Sequence, residues 1–204
     1  MKTLIAIPCM DQVPTPFCQS LALLTKPDNC TLAMKPGSLV YTSRNALAMM
    51  AIDMNAEYIF WMDSDMTFPQ DCLIRMMKTL QEKDLDILSG VYFRRVPPYS
   101  PVLFDKLEME GNDCKYTEFE KLPDDLFEVG GCGFGCVLMK TEVLFNVLAQ
   151  HGRMFTPIGD NGEDVSFCLR AREIGYKIIC DPSIVCGHVG YSIVDDKFFK
   201  YWKA

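Results

Sequence analysis

Long hydrophobic runs are missing from this chain of 204 residues. Each apolar stretch breaks well before the ~20 residues that a membrane-spanning helix needs, so no transmembrane segment is expected. Positive charge is in deficit, with 20 Lys and Arg against 27 Asp and Glu and a formal net charge of -7. That balance disfavours non-specific nucleic-acid binding, which requires a basic surface. No Gly-Lys-Ser/Thr occurs, which excludes a Walker phosphate loop. No C-x2-C pair occurs either, and Cys132 and Cys136 have three residues between them, so zinc-site spacing is absent. Internal repeats and low-complexity tracts are lacking too. Strand-like residues begin at Thr3, so no signal peptide is expected.

Ten cysteines are present, but a chain that is 49% hydrophobic does not need a disulfide scaffold to hold a core. Cys9, Cys72, Cys168 and Cys180 fall inside or beside apolar patterns, where a free thiol behaves as a small hydrophobe. The expected location is therefore a reducing, cytoplasmic compartment.

Apolar runs and helix-period segments alternate along the chain. Strands are expected at 3–7, 30–34, within 57–65, and at 86–93, 136–139 and 176–180, the last of these being the final clear strand. Helices are expected at 14–26, 39–54, 69–83, 141–150 and 163–174. Ser38 is placed to cap the second helix, whose inward residues would be Leu39, Ala46, Leu47 and Met50, and Gly175 to end the fifth. Pro97 to Pro101 reads as a loop, and 102–119 as a hairpin or edge excursion. The pattern predicts one α/β domain with three α/β/α layers, a mostly parallel mixed sheet and a small β excursion.

The stretch Glu57 to Asp65 organises the chemistry. Its apolar, aromatic and β-branched residues form a buried strand that ends in two carboxylates one residue apart, Asp63 and Asp65. A strand in an open α/β sheet delivers the residues just after it to the ligand crevice. Two hard oxygen donors there suit Mg²⁺ or Mn²⁺ bridged to substrate phosphates. The competing reading is a strand-to-helix turn, with Asp65 or Thr67 as a cap.

Other segments divide in the same way. Gly130 to Gly135 precedes a strand and is not a dinucleotide fingerprint; it brings the backbone close to a ligand or makes a bulge. Glu163 and Asp164 open a helix, where carboxylates suit the macrodipole, or supply a general base at the sheet edge. His188, one of two histidines, is a structural residue or a third ligand in a mixed O/N site that accepts Mn²⁺.

In order and spacing these segments resemble the GT-A fold glycosyltransferases, the inverting, nucleotide-sugar-dependent class. The resemblance rests on the first strand ending in Ile7-Pro8, on Ser43-Arg44-Asn45 within a helix, and on Asp63-Ser64-Asp65 as the DxD motif. Gly131 to Gly135, Gly162-Glu163-Asp164, Asp181-Pro182 and His188 continue it. It implies a catalytic domain over 1–190 and a tail over 191–204. It implies that Asp63, Asp65 and His188 hold Mn²⁺ or Mg²⁺ against a donor diphosphate, with a UDP-sugar expected. Pro8, Cys9, Met10, Arg44, Asn45, Ser64, Gly131 and Gly133 would contact the donor. Asp164 would be the base, with Glu163 orienting the acceptor or capping the helix. The acceptor is a glycan, a small molecule or another hydroxyl bearer, a modified nucleobase included.

Two further readings compete. Asp63, Asp65 and Thr67 also match the strand-end motif of haloacid-dehalogenase-like phosphatases, with Asp63 as nucleophile, Ser89 on the phosphate and Gly159 to Asp164 as the later acidic motif. A non-catalytic sugar- or nucleotide-binding module is the other. Acceptor choice would lie in 96–125 and after Val189. The aromatic tail, with Phe198, Phe199, Tyr201 and Trp202, is expected to pack on the domain or a partner, or to lie on a membrane surface through Lys197, Lys200 and Lys203.

Overall fold

The computed structural model describes all residues except 112, 191, 192 and 204, and the backbone alone of 193 and 203. In chain order the elements are β1 (Thr3–Cys9), α1 (Thr15–Leu23), β2 (Cys30–Pro36), α2 (Val40–Asp53), β3 (Tyr58–Met62), β4 (Met66–Thr67), α3 (Cys72–Glu82) and β5 (Ile87–Val91). Then come β6 (Leu103–Glu110), β7 (Asp113–Glu118), β8 (Phe127–Val129), β9 (Gly131–Cys132), β10 (Cys136–Lys140), α4 (Thr141–His151) and α5 (Glu163–Glu173). The chain closes with β11 (Ile178–Val185), β12 (Gly187–Val189), β13 (Ile193–Val194) and α6 (Asp196–Lys203).

The central sheet has seven strands in the order β2-β1-β3-β10-β5-β11-β8. β1 runs parallel to β2 and β3, and β5 parallel to β11; β10 and β8 oppose their neighbours. Both faces are covered, so the strands alternate between two cores rather than between core and water. Leu4, Ala6, Ile59 and Trp61 point into the layer closed by α2, α4 and α5. Ile5, Ile7, Phe60 and Met62 point into the layer closed by α1 and α3. α3 shows the sequence logic plainly, burying Cys72, Leu73, Met76, Met77 and Leu80 along one stripe.

Two small sheets complete the domain. β6 and β7 form the expected hairpin, and β6 also pairs with β9. β12 lies antiparallel to β4, with His188 opposite Met66, and β13 pairs on its other side.

Several sequence expectations are corrected. α2 buries Ser43, Arg44, Leu47, Ala48 and Ala51, while Leu39, Ala46 and Met50 are exposed. Choosing the apolar residues as the inner face mis-phased this helix, because its buried stripe carries a serine and an arginine. Ser38 makes no cap; Leu39 holds the N-cap position of α2, without a side-chain capping bond. β11 runs on to Val185 through a register shift after Cys180, and β12 and β13 come after it. Gly175 does take the left-handed position that ends α5, at φ +95°.

In the tail, α6 lies against the excursion side. Phe199 is 5.4 Å from Phe93, and Phe198 and Trp202 are 5.4 Å and 5.8 Å from Tyr99, ring centre to ring centre. Tyr201 faces solvent. Of the expected tail, residues 191, 192 and 204 and the side chain of Lys203 lie outside the described residues. Among the described residues no helix is long and apolar enough to cross a membrane.

Candidate active site

β1 and β2 are neighbours, yet the helices that come after them leave for opposite faces: α1 joins the layer of Ile5 and Ile7, α2 that of Leu4 and Ala6. Strand pairs of this kind open a crevice beyond their carboxyl ends, where open α/β sheets take ligands. A cavity of about 220 Å³ lies there. The end of β1 contributes Pro8, Cys9 and Met10, and the turn into α2 contributes Gly37, Ser38 and Val40. Arg44, Asp63, Ser64, Asp65 and Glu163 complete the lining. The Gly37 amide donates to the Cys9 carbonyl at 3.1 Å, which ties the two turns together.

Arg44 sits on the buried face of α2 and is 2% exposed. Its Nη2 donates to Asp63 Oδ1 at 2.7 Å and its Nε to Glu163 Oε1 at 3.1 Å. Its guanidinium lies 5.4 Å from the Phe134 ring centre and 5.7 Å from that of Trp61. Nη1 is buried without a protein partner. Burial works against the guanidinium's charge, but Asp63 and Glu163 outweigh it and hold its pKa above the ordinary value. For Asp63 burial dominates: it pushes the carboxyl up further than Arg44 pulls it down, and the like charges of Asp65 and Glu163 add to the rise. Arg44→Ala strands two carboxylates in a low-dielectric site and is expected to cost about 3–5 kcal/mol of folding free energy. Guanidinium chloride unfolding of the variant beside the parent checks this.

Asp65 and His188 meet across the β4–β12 pairing. The Val189 amide donates to the Asp65 carbonyl at 2.7 Å, which fixes the register. His188 Nδ1 lies 2.8 Å from the Phe93 carbonyl, which can only accept, so this nitrogen carries the proton. Nε2 then faces Asp65 Oδ2 at 3.4 Å. A carboxylate oxygen and a ring nitrogen so placed can share a cation, a proton or a metal ion. An imidazole anchored through its other nitrogen to a carbonyl is the usual support of a metal ligand. Arg95 Nη1 also reaches Asp65 Oδ2, at 3.1 Å. Burial pushes the Asp65 carboxyl up, but His188 and Arg95 overcome it and hold the group below its usual range. The oxygen and nitrogen donors fit Mn²⁺, with the remaining positions open to water or phosphate oxygens.

Asp63 does not join them. Among the described residues the one set of three ligand atoms within 4.8 Å of one another is Cys72, Cys136 and Cys186. The expected Asp63, Asp65 and His188 triad is therefore not closed, because the Asp63 carboxylate is bound to Arg44.

Glu163 and Asp164 part at the start of α5. Glu163 lines the crevice and belongs to Arg44. Asp164 is part-buried, and its Oδ1 accepts from the Val165 amide at 2.7 Å. Burial, with the like charge of Glu163, pushes its pKa up to about 6 against the opposing Val165 hydrogen bond and Arg44.

Three expected donor contacts lie elsewhere. Asn45 is about 100° round the helix from Arg44. Its Oδ1 accepts from the Phe155 amide at 3.0 Å, which secures the ring that stacks on Phe167. Gly131 pairs with Phe104 in the excursion sheet. Gly133 lets Tyr92 in: a Cβ there would stand 1.9 Å from the phenol oxygen and 2.8 Å from Val102. Both glycines serve packing. Gly133→Ala is expected to cost about 1–3 kcal/mol by overpacking, measurable as a lower denaturant midpoint.

The phosphatase arrangement is not assembled. Ser89 is fully buried and donates to the Gly90 carbonyl, and Asp160 lies in a turn that no strand precedes. The residues that sequence reasoning missed are Gly37, Ser38, Val40 and Arg95. Arg95 had a legible signal, a pair of arginines directly after a buried strand.

No protein-family model and no curated protein sequence matches the chain. Solved structures do. A197 from STIV aligns over 93% of this chain and 86% of its own, with a TM-score of 0.69 and 21% identity. GalNAc-T7, solved with UDP, GalNAc and Mn²⁺, aligns over 93% of this chain with a TM-score of 0.65 and 9% identity. This chain spans 44% of that one. At such identities the likeness concerns architecture alone, and the architecture shared is the GT-A fold.

Proposed function

We propose that the chain transfers a sugar from a nucleotide-diphosphate sugar, a UDP-sugar first among them, to an acceptor hydroxyl with inversion at the anomeric carbon. The observation that carries this reading is the Asp65–His188 pair, a carboxylate oxygen and a ring nitrogen 3.4 Å apart beside the crevice. A divalent ion held there would neutralise the diphosphate leaving group, which then needs no acid. The turns at Pro8 to Met10 and Gly37 to Ser38 flank the nucleotide side. Arg44 holds Asp63 and Glu163 in place, so the crevice floor is preorganised before the donor arrives. The acceptor oxygen bonds to the anomeric carbon as the bond from that carbon to the diphosphate oxygen breaks, its electron pair leaving with the diphosphate. The acceptor's proton passes to Asp164.

A panel of nucleotide-diphosphate sugars tests the reading. With Mn²⁺ present, at least one donor should raise the melting midpoint and release its nucleotide diphosphate, because a ligand bound only to the folded state stabilises it. If every donor leaves the midpoint unmoved, with and without Mn²⁺, the proposal fails.

A further inference from the structure

On the far side of the sheet from Arg44, three thiols that are distant in sequence converge. Cys72 opens α3, Cys136 opens β10, and Cys186 links β11 to β12; all three are buried. Their sulfurs lie within 4.8 Å of one another. Cys72 Sγ is 3.7 Å from Cys136 Sγ, and Met76 Sδ is 3.9 Å from the first and 3.6 Å from the second. We propose that Cys72, Cys136 and Cys186, with Met76 as a fourth sulfur, form a site for one thiophilic d¹⁰ metal ion, Cu(I) or Zn(II).

The dimensions agree. Four sulfurs at about 2.3 Å from a tetrahedral ion stand about 3.8 Å apart. Packed sulfurs keep a similar spacing, so distance alone does not make a site. What exceeds packing is the convergence: three separate elements each aim a thiol at one point. Cys72 and Cys136 share their hydrogens with sulfur, which is a weak acceptor. Thiolate and thioether donors select soft ions over Mg²⁺ or Mn²⁺. Binding exchanges S–H for S–metal bonds. A divalent ion displaces three protons and leaves one net negative charge; a monovalent ion that displaces two leaves the same charge, with the third thiol neutral. Met76 favours Cu(I), whereas three thiolates favour Zn(II).

The placement gives the site a task. Cys136 stands opposite Met62, the residue before Asp63, and Cys186 is two residues before His188. An ion here would fasten the end of β3 and the start of β12 to α3, holding the two halves of the Asp65–His188 pair in register. This site stands on its own geometry and does not depend on the proposed sugar transfer.

The test is metal content. Protein produced in medium supplemented with Zn²⁺, Cu²⁺ or Cd²⁺, purified under reducing conditions and dialysed against EDTA, should retain one equivalent of metal. The cadmium form should show thiolate charge-transfer absorption in the ultraviolet, a readout on the unaltered chain. Comparison of the zinc and copper arms identifies the ion. Cys186→Ala and Cys136→Ala should lose the equivalent and the absorption, and Cys18→Ala should keep both. Metal-free protein from every medium, a Cys72–Cys136 disulfide in its place, or metal retained by Cys186→Ala overturns the proposal.

Discussion

Asp65→Ala should lower Mn²⁺ affinity more than about 100-fold and abolish Mn²⁺-dependent UDP binding, with the fold intact. The scale comes from ligand chemistry: removing a mere supporting partner of a metal ligand costs about 10–100-fold, and Asp65 is argued to be a ligand itself. The fold should survive because the side chain is part-exposed and its partners, His188 and Arg95, retain other hydrogen bonds, to the Phe93 and Val189 carbonyls. Calorimetric titration of UDP with and without Mn²⁺ reads the effect. His188→Ala should move binding in the same direction. Asp63→Asn should instead act mainly on stability, since its carboxylate is held by Arg44. Should Asp63→Asn remove metal binding while Asp65→Ala spares it, the two carboxylates have been assigned the wrong way round.

Asp164→Asn should slow transfer about 10²–10⁴-fold, the usual contribution of a positioned base, and leave donor binding unchanged. The pH profile gives an independent mark. A base works deprotonated, and burial has pushed Asp164 up to about 6, so kcat/KM should fall as pH drops below about 6 and level off above it. That acid limb should vanish in the variant. The sign for stability is opposite to that of an ordinary carboxylate. A pKa raised on folding from 3.8 to about 6 gives a contribution that is full below 3.8 and lost as pH rises through about 6. The neutral asparagine escapes that loss, so Asp164→Asn should melt higher than the parent at pH 8. Near-parental transfer by Asp164→Asn, with collapse in Glu163→Gln, would reverse the roles of the pair.

The alternating pattern and the element boundaries were readable because most elements are long enough to show a period. Strands of three residues or fewer, such as β4, β12 and β13, show none, and these position His188. Pairing Gly187 and His188 with Thr67 and Met66 joins residues about 120 apart, which no local signal encodes. α2 failed for another reason. Hydrophobic periodicity assumes an apolar inner face, and this helix turns Ser43 and Arg44 inward, the arginine toward two carboxylates just after β3 and at the start of α5. The same pairing holds the Asp63 carboxylate on Arg44. The sulfur cluster was hidden likewise: spacing rules for metal sites look along the chain, and Cys72, Cys136 and Cys186 converge from three separate elements.

Crystals grown with Mn²⁺ and UDP, measured at the manganese absorption edge, give the most direct test. One anomalous peak is predicted between the Asp65 carboxylate and His188 Nε2, with diphosphate oxygens on its open side and Asp63 still on Arg44. A peak at Asp63 without Asp65, or UDP bound outside the crevice between the ends of β1 and β2, would contradict the account.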